Sequence, residues 1–171
     1  LSSTLFLSLL YGFGNKYKYR VIKKRITLNN LPAAFKGFKI VHISDIHSGS
    51  LKDKSAVLKG VELIEKQKAD LVLFTGDLVN DRATEMKEWM DVFSKIKAPY
   101  GVYSTLGNHD YGDYVKWDSL ELKKQNLETL KQVHQQLGWR LLMNENTSIQ
   151  KQEAIIKIVG IEKDRKSTRL N

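Results

Sequence analysis

Three short apolar runs in this chain stop abruptly at residues that are able to bind metal ions. Each run has the length of a strand and is bounded by turn-forming residues, so each is predicted to be a strand. A single strand that ends in polar residues is ordinary turn chemistry. Three in succession indicate one site, because functional groups gather beyond the carboxyl ends of the strands in open α/β sheets. The transitions are residues 38–43 before Asp45 and His47, residues 71–75 before Asp77, and residues 100–106 before Asn108, His109 and Asp110.

Amphipathic segments separate these runs. In residues 54–68 the apolar side chains recur at the spacing of one helical face. Residues 83–97 and 119–137 show a similar periodicity, and Gly138 is placed to end the later of these two helices. Strand–helix–strand repetition predicts an α/β domain with a parallel sheet.

The pattern changes to short runs near the end of the chain. Residues 140–143, 147–150 and 154–161 are predicted strands, and residues 144–146 are a predicted turn between two of them. Strands as closely spaced as these are able to pair in antiparallel fashion.

Size and charge limit the classes of function. A chain of 171 residues has room for one domain with a real core, and without cysteine it has no disulfide or thiolate metal site. The net charge of +9 comes from the ends, since residues 45–163 hold 17 basic and 18 acidic residues. Nucleic-acid binding is therefore not expected of the domain. Binding of DNA through the basic residues near the amino terminus alone is kept as an alternative.

The amino-terminal residues have the composition of a membrane boundary. Residues 1–15 are mostly apolar, although they are shorter than the roughly 20 residues of a full span. Residues 16–37 begin with closely spaced lysines and arginines interleaved with aromatic and aliphatic residues. We expect the end of a membrane segment followed by a basic juxtamembrane lead-in, with the domain facing the cytoplasm. A signal-peptide remnant or an edge strand with a basic face are the alternatives.

The carboxyl-terminal residues 164–171 follow the last predicted strand without turn chemistry or a cap. They resemble one reading frame of a sequencing-library adapter, and we expect them to be foreign to the natural protein. A polar tail is the alternative. The domain is predicted to occupy residues 38–163.

The residue types at the three strand ends favour a transition-metal site. Asp45 and His47, one residue apart in extended chain, are expected to point the same way and to hold one ion together. Gly76 lets the backbone turn so that Asp77 approaches that ion. Carboxylate, imidazole and amide ligands suit Mn²⁺, iron or Zn²⁺ better than Ca²⁺. A carboxylate such as Asp77 is also able to bridge two ions about 3.5–4 Å apart.

The Gly-Asn-His-Asp sequence adds acid–base chemistry. Asn108 offers an amide oxygen and His109 an imidazole that titrates near neutrality. Asp110 is expected to orient His109 or to stabilise its charged form.

The order Asp-x-His, Gly-Asp and Gly-Asn-His-Asp resembles the calcineurin-like metallophosphoesterase superfamily, and the basic lead-in resembles its membrane-associated bacterial branch. The resemblance implies a layered α/β/β/α sandwich that is incomplete at its carboxyl terminus. It also implies two divalent ions and in-line attack by a metal-bound hydroxide. Asp45 and His47 would hold the first ion, Asp77 would bridge, and Asn108 would hold the second. His109 would protonate the leaving oxygen with Asp110 behind it.

The chain departs from the family pattern in its later histidines. The family supplies further ligands from a separate histidine and a Gly-His-x-His motif, whereas here only His42 and His134 remain outside the site motifs. His42 lies inside a predicted strand, and His134 is predicted to lie at a helix edge. We therefore expect an amino-terminal fragment that binds metal weakly and turns over poorly.

The predicted function of the full-length protein is hydrolysis of a phosphoric ester or pyrophosphate bond. The substrate is expected to be a phosphorylated small molecule or a lipid-linked compound at a membrane. Residues 80, 81 and 111–117 lie near the site in sequence and are candidates for substrate contact. The alternative is a non-catalytic module that binds metal or a partner on the same fold.

Overall fold

A parallel sheet of four strands lies at the centre of the computed structural model, which describes residues 17–162. The sheet order follows the chain order. In register, Ile43 lies beside Phe74 and Phe74 beside Ser104, so neighbouring strands end at the same edge. The predicted α/β fold with a parallel sheet is confirmed. The strands are β1 (Ile40–Ile43), β2 (Leu71–Phe74), β3 (Val102–Ser104) and β4 (Trp139–Leu141).

Three α-helices lie between these strands: α1 (Lys54–Glu65), α2 (Met90–Phe93) and α3 (Leu120–Gln136). The side chain of Asp53 accepts a hydrogen bond from the amide of Ala56 at the start of α1. Ser119 does the same for Leu122 at the start of α3. Gly138, with φ +77°, ends that helix as predicted.

The prediction of one continuous helix over residues 83–97 is wrong. The segment forms a 3₁₀ turn (Ala83–Met86) followed by the single-turn helix α2. Met86, Trp89 and Phe93 are buried nonetheless. A spacing of three or four between buried residues is satisfied by successive 3₁₀ turns as well as by an α-helix, so the apolar periodicity did not distinguish them.

The last two strands form an antiparallel hairpin, β5 (Glu145–Lys151) and β6 (Ala154–Gly160). The turn predicted at residues 144–146 is wrong, because residues 145 and 146 already belong to β5. Asn144 alone makes the bend in the left-handed region, with φ 55°. Its side-chain oxygen accepts a hydrogen bond from the amide of Glu162, which closes the open end of the hairpin.

The two faces of the parallel sheet bury different partners. Val72 and Phe74 of β2 pack with residues of the helices in one core. Leu71 and Leu73 point the other way and pack against Ile149 and other residues of the hairpin. This alternation follows from the two-residue period of a strand. The result is a stack of helices, parallel sheet and hairpin, consistent with the predicted sandwich.

The basic lead-in follows the surface of the domain without regular structure over residues 18–28, so the edge strand considered as an alternative is not present there. The hydroxyl group of Tyr17 accepts hydrogen bonds from the amides of Lys52 and Asp53 and so pins the lead-in near the start of α1. No helix within residues 17–162 is both long and apolar enough to cross a membrane. The predicted membrane segment at residues 1–15 and the tail at residues 164–171 lie outside the described residues.

Candidate metal centre

The backbone at the strand ends is folded into an uncommon conformation. Asp45, His47 and Asp77 all lie in the left-handed region, with φ of 53°, 47° and 59°. Such values are uncommon for residues with a side chain, and they cluster at functional sites. The expectation of an extended chain from Asp45 to His47 is therefore wrong. The amides of Asp45 and His47 instead donate to the carbonyls of Gly76 and Asp77, each at 3.0 Å, so the first two strand ends stay paired beyond the sheet.

Two glycines bring the second and third strand ends into contact. A Cβ atom on Gly76 would fall on the backbone of Gly107, and one on Gly107 would fall on the carboxylate of Asp77. Gly76 also has φ +95°, a conformation that other residues rarely adopt. The absence of two side chains is thus what places Asp77 against the Gly-Asn-His-Asp segment.

Ligand atoms from two strand ends face each other across a short gap. His47 Nε2 lies 3.8 Å from Asp77 Oδ2 and 4.0 Å from Asp45 Oδ1. Two atoms that each lie about 2.0–2.2 Å from one ion are separated by at most about 4.4 Å. Each distance on its own fits two ligands of one divalent ion. Imidazole with carboxylate is also a donor pair that suits a transition metal.

The third strand end supplies the remaining member of the closest group. His47, Asp77 and His109 offer ligand atoms that all lie within 4.8 Å of one another, and Asp45 is not part of this group. The other carboxylate oxygen of Asp77 accepts a hydrogen bond of 2.9 Å from the backbone amide of His109. The structure thus gathers residues from all three strand ends at one place.

The ring of His109 is held in a defined orientation. Its Nδ1 lies 2.8 Å from the carbonyl oxygen of Asn80. Because a carbonyl only accepts hydrogen bonds, Nδ1 carries a hydrogen and Nε2 is left for the site. The ring also meets His47 edge to face, with 4.7 Å between centroids, and stacks on Tyr114 at 4.5 Å.

Asp110 does not lie behind the His109 ring as expected, since the carbonyl of Asn80 takes that place. Four backbone N–H groups donate to the fully buried Asp110 carboxylate instead. Burial raises the pKa of Asp110 to about 6, because it disfavours the charged form. The hydrogen bonds from the neighbouring amides act in the opposite direction and lower the pKa, but their effect is smaller. Asp110 therefore joins the backbones of two strand ends. Its donors are Asp77, Leu78, Val79 and Gly107.

A second carboxylate, Glu85, anchors the neighbouring loops and was missed in the sequence. It accepts hydrogen bonds of 2.7–3.1 Å from four backbone amides. One donor is Arg82, three residues earlier, which is the spacing of a capping box. That signal was weak because Arg82 is not one of the residues that usually begin a helix. The remaining donors are Gly49, Asn80 and Asp81.

Asn108 and the following loop complete the site. The side-chain amide nitrogen of Asn108 donates to the hydroxyl group of Tyr114 at 3.0 Å, which leaves its Oδ1 for a cation. The carboxylate of Asp81 accepts a hydrogen bond from the backbone of Tyr114. Two of the segments expected to lie near the site, residues 80–81 and 111–117, are thus in contact with it and with each other.

The two remaining histidines lie elsewhere. His42 is on an exposed face of β1, where its Nε2 lies 2.8 Å from the hydroxyl oxygen of Thr75. The prediction of a helix-edge position for His134 is wrong, because this residue is completely buried. It packs against Phe74 and Trp139, and burial lowers its pKa to about 4. The spacing from Leu127 and Leu130 placed His134 near the apolar stripe of α3 but did not show how deeply the helix is set.

A comparison with protein families agrees with this geometry. The sequence model of the calcineurin-like phosphoesterases matches residues 38–169. The chain belongs to this family. The resemblance inferred from the three motifs is therefore confirmed.

Relatives of this phosphoesterase come from distant organisms. The metallophosphoesterase YkoQ of Bacillus subtilis is 29% identical over 136 residues, which is 78% of this chain and 46% of YkoQ. A zebrafish (Danio rerio) transmembrane protein with a metallophosphoesterase domain is 28% identical over 73% of this chain and 29% of its own length. The UDP-2,3-diacylglucosamine pyrophosphatase LpxG of Chlamydia trachomatis is 37% identical over 52% of this chain and 28% of LpxG. The chain spans less than half the length of each relative.

Proposed function

We propose that the protein hydrolyses a phosphoric ester or pyrophosphate bond with the help of divalent metal ions at the strand-end site. The observation that carries this proposal is the approach of His47 Nε2 to within 4.0 Å of carboxylate oxygens of Asp45 and Asp77, with His109 beside them. Three residues in a strained backbone conformation supply these groups, and the strain is consistent with a functional site.

Each residue has a distinct role in the proposal. Asp45, His47 and Asp77 would hold one divalent ion, and Asp77 and Asn108 would hold a second. Bound Mn²⁺, iron or Zn²⁺ would supply an activated water and offset negative charge on the phosphoryl group. His109 donates a proton from Nε2 to the leaving oxygen, because its Nδ1 hydrogen is occupied by the carbonyl of Asn80.

The proposed substrate is a phosphorylated small molecule or a lipid-linked pyrophosphate. The name of LpxG supports a pyrophosphate bond in a lipid precursor, and the name of the zebrafish relative supports a location at a membrane. We propose that the basic lead-in lies against the membrane surface, with the domain on the cytoplasmic side. Attraction between lysines and anionic lipids would contribute about 1 kcal/mol per residue.

A non-catalytic metal-binding module is the second candidate. It would gain if the full-length protein also lacked the later histidine ligands of the family, since His42 and His134 lie outside the site in the described part of the chain. Among residues 17–162, the main candidate ligands for a second ion are then Asp77 and Asn108.

The test is hydrolysis of bis(p-nitrophenyl) phosphate and p-nitrophenyl phosphate with added Mn²⁺, alongside Mn²⁺ binding measured by electron paramagnetic resonance. We expect Asp77→Ala to lose metal binding, and both Asp77→Ala and His109→Ala to lose activity by about 100-fold or more. Asp91→Ala is the matched control, since Asp91 is an exposed carboxylate paired with Lys54 on the surface. Full activity in both site variants would overturn the proposal. Metal binding without hydrolysis by the full-length protein would favour the non-catalytic module.

A further inference from the structure

Tyr114 contacts both residues of the Gly-Asn-His-Asp sequence that face the site. Its hydroxyl oxygen accepts a hydrogen bond of 3.0 Å from the side-chain nitrogen of Asn108. Its ring stacks on the imidazole of His109, with 4.5 Å between centroids and 28° between planes. One side chain is thus linked at the same time to a proposed metal ligand and to the proposed acid.

The loop that carries Tyr114 is fixed on both sides of it. The backbone amide of Tyr114 donates to Asp81 at 3.1 Å. Further along, the indole nitrogen of Trp117 donates to the carbonyl of Gly112 at 2.7 Å, and the guanidinium of Arg82 lies 4.3 Å from the centre of the Trp117 ring. Since the loop is tied to residues 81 and 82, its backbone holds Tyr114 beside the site, where the two contacts to Asn108 and His109 orient its half-exposed side chain.

We propose that Tyr114 is a positioning residue of the metal site. The inference rests on the proposed function, and it assigns Tyr114 two separable tasks. The hydroxyl group holds the Asn108 amide in place beside the metal site, and the ring fixes the plane of the His109 imidazole.

The first task follows from the chemistry of an amide. An asparagine side chain presents an oxygen at one end and an NH₂ group at the other, and only the oxygen is able to bind a cation. In the structure Nδ2 donates to the Tyr114 hydroxyl, so Oδ1 is turned away from the tyrosine. A hydroxyl group is also able to donate to Oδ1, so its contribution is to hold the amide in place and not to select one end. Without that hydroxyl the amide is free to rotate away from the metal site. Loss of a group that orients a metal ligand typically lowers metal affinity by about 10–100-fold.

The second task follows from the contacts of the imidazole. The carbonyl of Asn80 fixes Nδ1 of His109 but leaves the ring able to rock about that hydrogen bond. Tyr114 covers one face of the ring and His47 meets it edge to face, which restricts the rocking. A phenylalanine at position 114 would keep this contact and lose only the hydroxyl group.

The test compares Tyr114→Phe and Tyr114→Leu, with Tyr100→Phe as a matched control that removes a tyrosine hydroxyl from the hairpin side of the sheet. Mn²⁺ affinity and stoichiometry are measured by electron paramagnetic resonance, and kcat and KM with p-nitrophenyl phosphate esters at low and saturating Mn²⁺. We expect Tyr114→Phe to bind the weaker Mn²⁺ about 10-fold less tightly and to regain wild-type kcat at saturating Mn²⁺. Tyr114→Leu should show the same loss of affinity and, in addition, a kcat that stays about 10-fold low at saturating Mn²⁺.

Wild-type Mn²⁺ affinity in Tyr114→Phe would overturn the role assigned to the hydroxyl group. Equal kcat in the two variants at saturating Mn²⁺ would overturn the role assigned to the ring. If Tyr114→Leu fails to fold, Tyr114→Met replaces it, and because it also lacks the ring it should show the same two losses. Failure of the proposed function gives a different result, because His109→Ala would then leave hydrolysis unchanged while the Mn²⁺ measurements still report on the Asn108–Tyr114 contact.

Discussion

Asp110 and His134 are both completely buried and both titratable, but their surroundings are opposite. The Asp110 carboxylate lies under the strand ends and accepts hydrogen bonds from four backbone amides. The side chain of His134, a residue of α3, lies between this helix and the sheet. Neither of its ring nitrogens has a hydrogen-bond partner within residues 17–162. Burial raises the pKa of the first and lowers that of the second, because in each case it disfavours the charged form.

The difference separates two uses of a buried polar group. At the strand ends the polar group is structural, since loops without regular secondary structure have amides that must find acceptors. In the core of the helical layer the His134 imidazole packs as an apolar side chain would, because its neighbours Phe74 and Trp139 make only ring contacts with it. Removal of the Asp110 carboxylate should therefore lower the stability of the protein strongly, whereas removal of the His134 imidazole should not.

The largest effect is expected from Asp110→Ala. The change leaves four amides without their acceptor, so we expect the free energy of unfolding to fall by about 4 kcal/mol or more. Urea denaturation followed by circular dichroism measures the change. Asp91→Ala should leave stability nearly unaltered, as expected of an exposed surface pair. A loss in Asp110→Ala no larger than in this control would contradict the structural role.

A smaller effect is expected from acid acting on His134. Its pKa is lowered to about 4 in the folded protein, against an ordinary value of 6.5. Between these values the unfolded chain binds the proton and the folded one does not, so His134 costs no stability above pH 6.5 and destabilises progressively down to about pH 4. The difference in stability between wild type and His134→Leu should grow by about 3 kcal/mol over this range, in favour of the variant.

Unfolding by urea at pH 7.0, 5.5 and 4.5 measures this difference. The comparison with His134→Leu cancels the contribution of Asp110, whose raised pKa makes stability change with pH in the opposite direction. A difference that stays constant with pH would mean that His134 finds a partner or is reached by water.

The smallest of the three effects is expected from Glu85→Gln. Glutamine keeps one acceptor oxygen, but its NH₂ group then faces backbone N–H groups that previously had an acceptor. We expect a loss of about 2 kcal/mol in unfolding free energy, half that of Asp110→Ala, because Glu85 is only partly buried. Thermal unfolding by calorimetry measures it. A loss as large as that of Asp110→Ala would show that the two carboxylates are equivalent anchors.

The strands, the site and the family could be predicted because they leave local signals. Apolar runs of strand length ended directly at Asp45, Asp77 and Asn108, and the sheet order follows the chain order, so the strand ends meet.

The remaining features depend on contacts between distant residues and could not be read locally. The acceptor of the His109 ring is a backbone carbonyl, that of Asn80, and any residue at position 80 would supply one. The four donors to Glu85 come from two segments, Gly49 and residues 80–82, whose proximity exists only in the folded chain. The left-handed conformation of His47 is imposed by pairing with the end of β2.

The carboxylate of Asp110 also determines how the site opens. Its four donors belong to two segments far apart in the chain, so the amides of Asp77, Leu78, Val79 and Gly107 share one acceptor. Gly107 lies three residues before Asp110 and bonds to it locally, whereas Asp77, Leu78 and Val79 belong to the other segment. Movement of that segment away from Asp110 breaks three hydrogen bonds at once. In native-state hydrogen exchange the amides of Asp77, Leu78 and Val79 should therefore exchange as a single group with a common opening free energy. Asp77 would then leave the site together with the two residues that follow it.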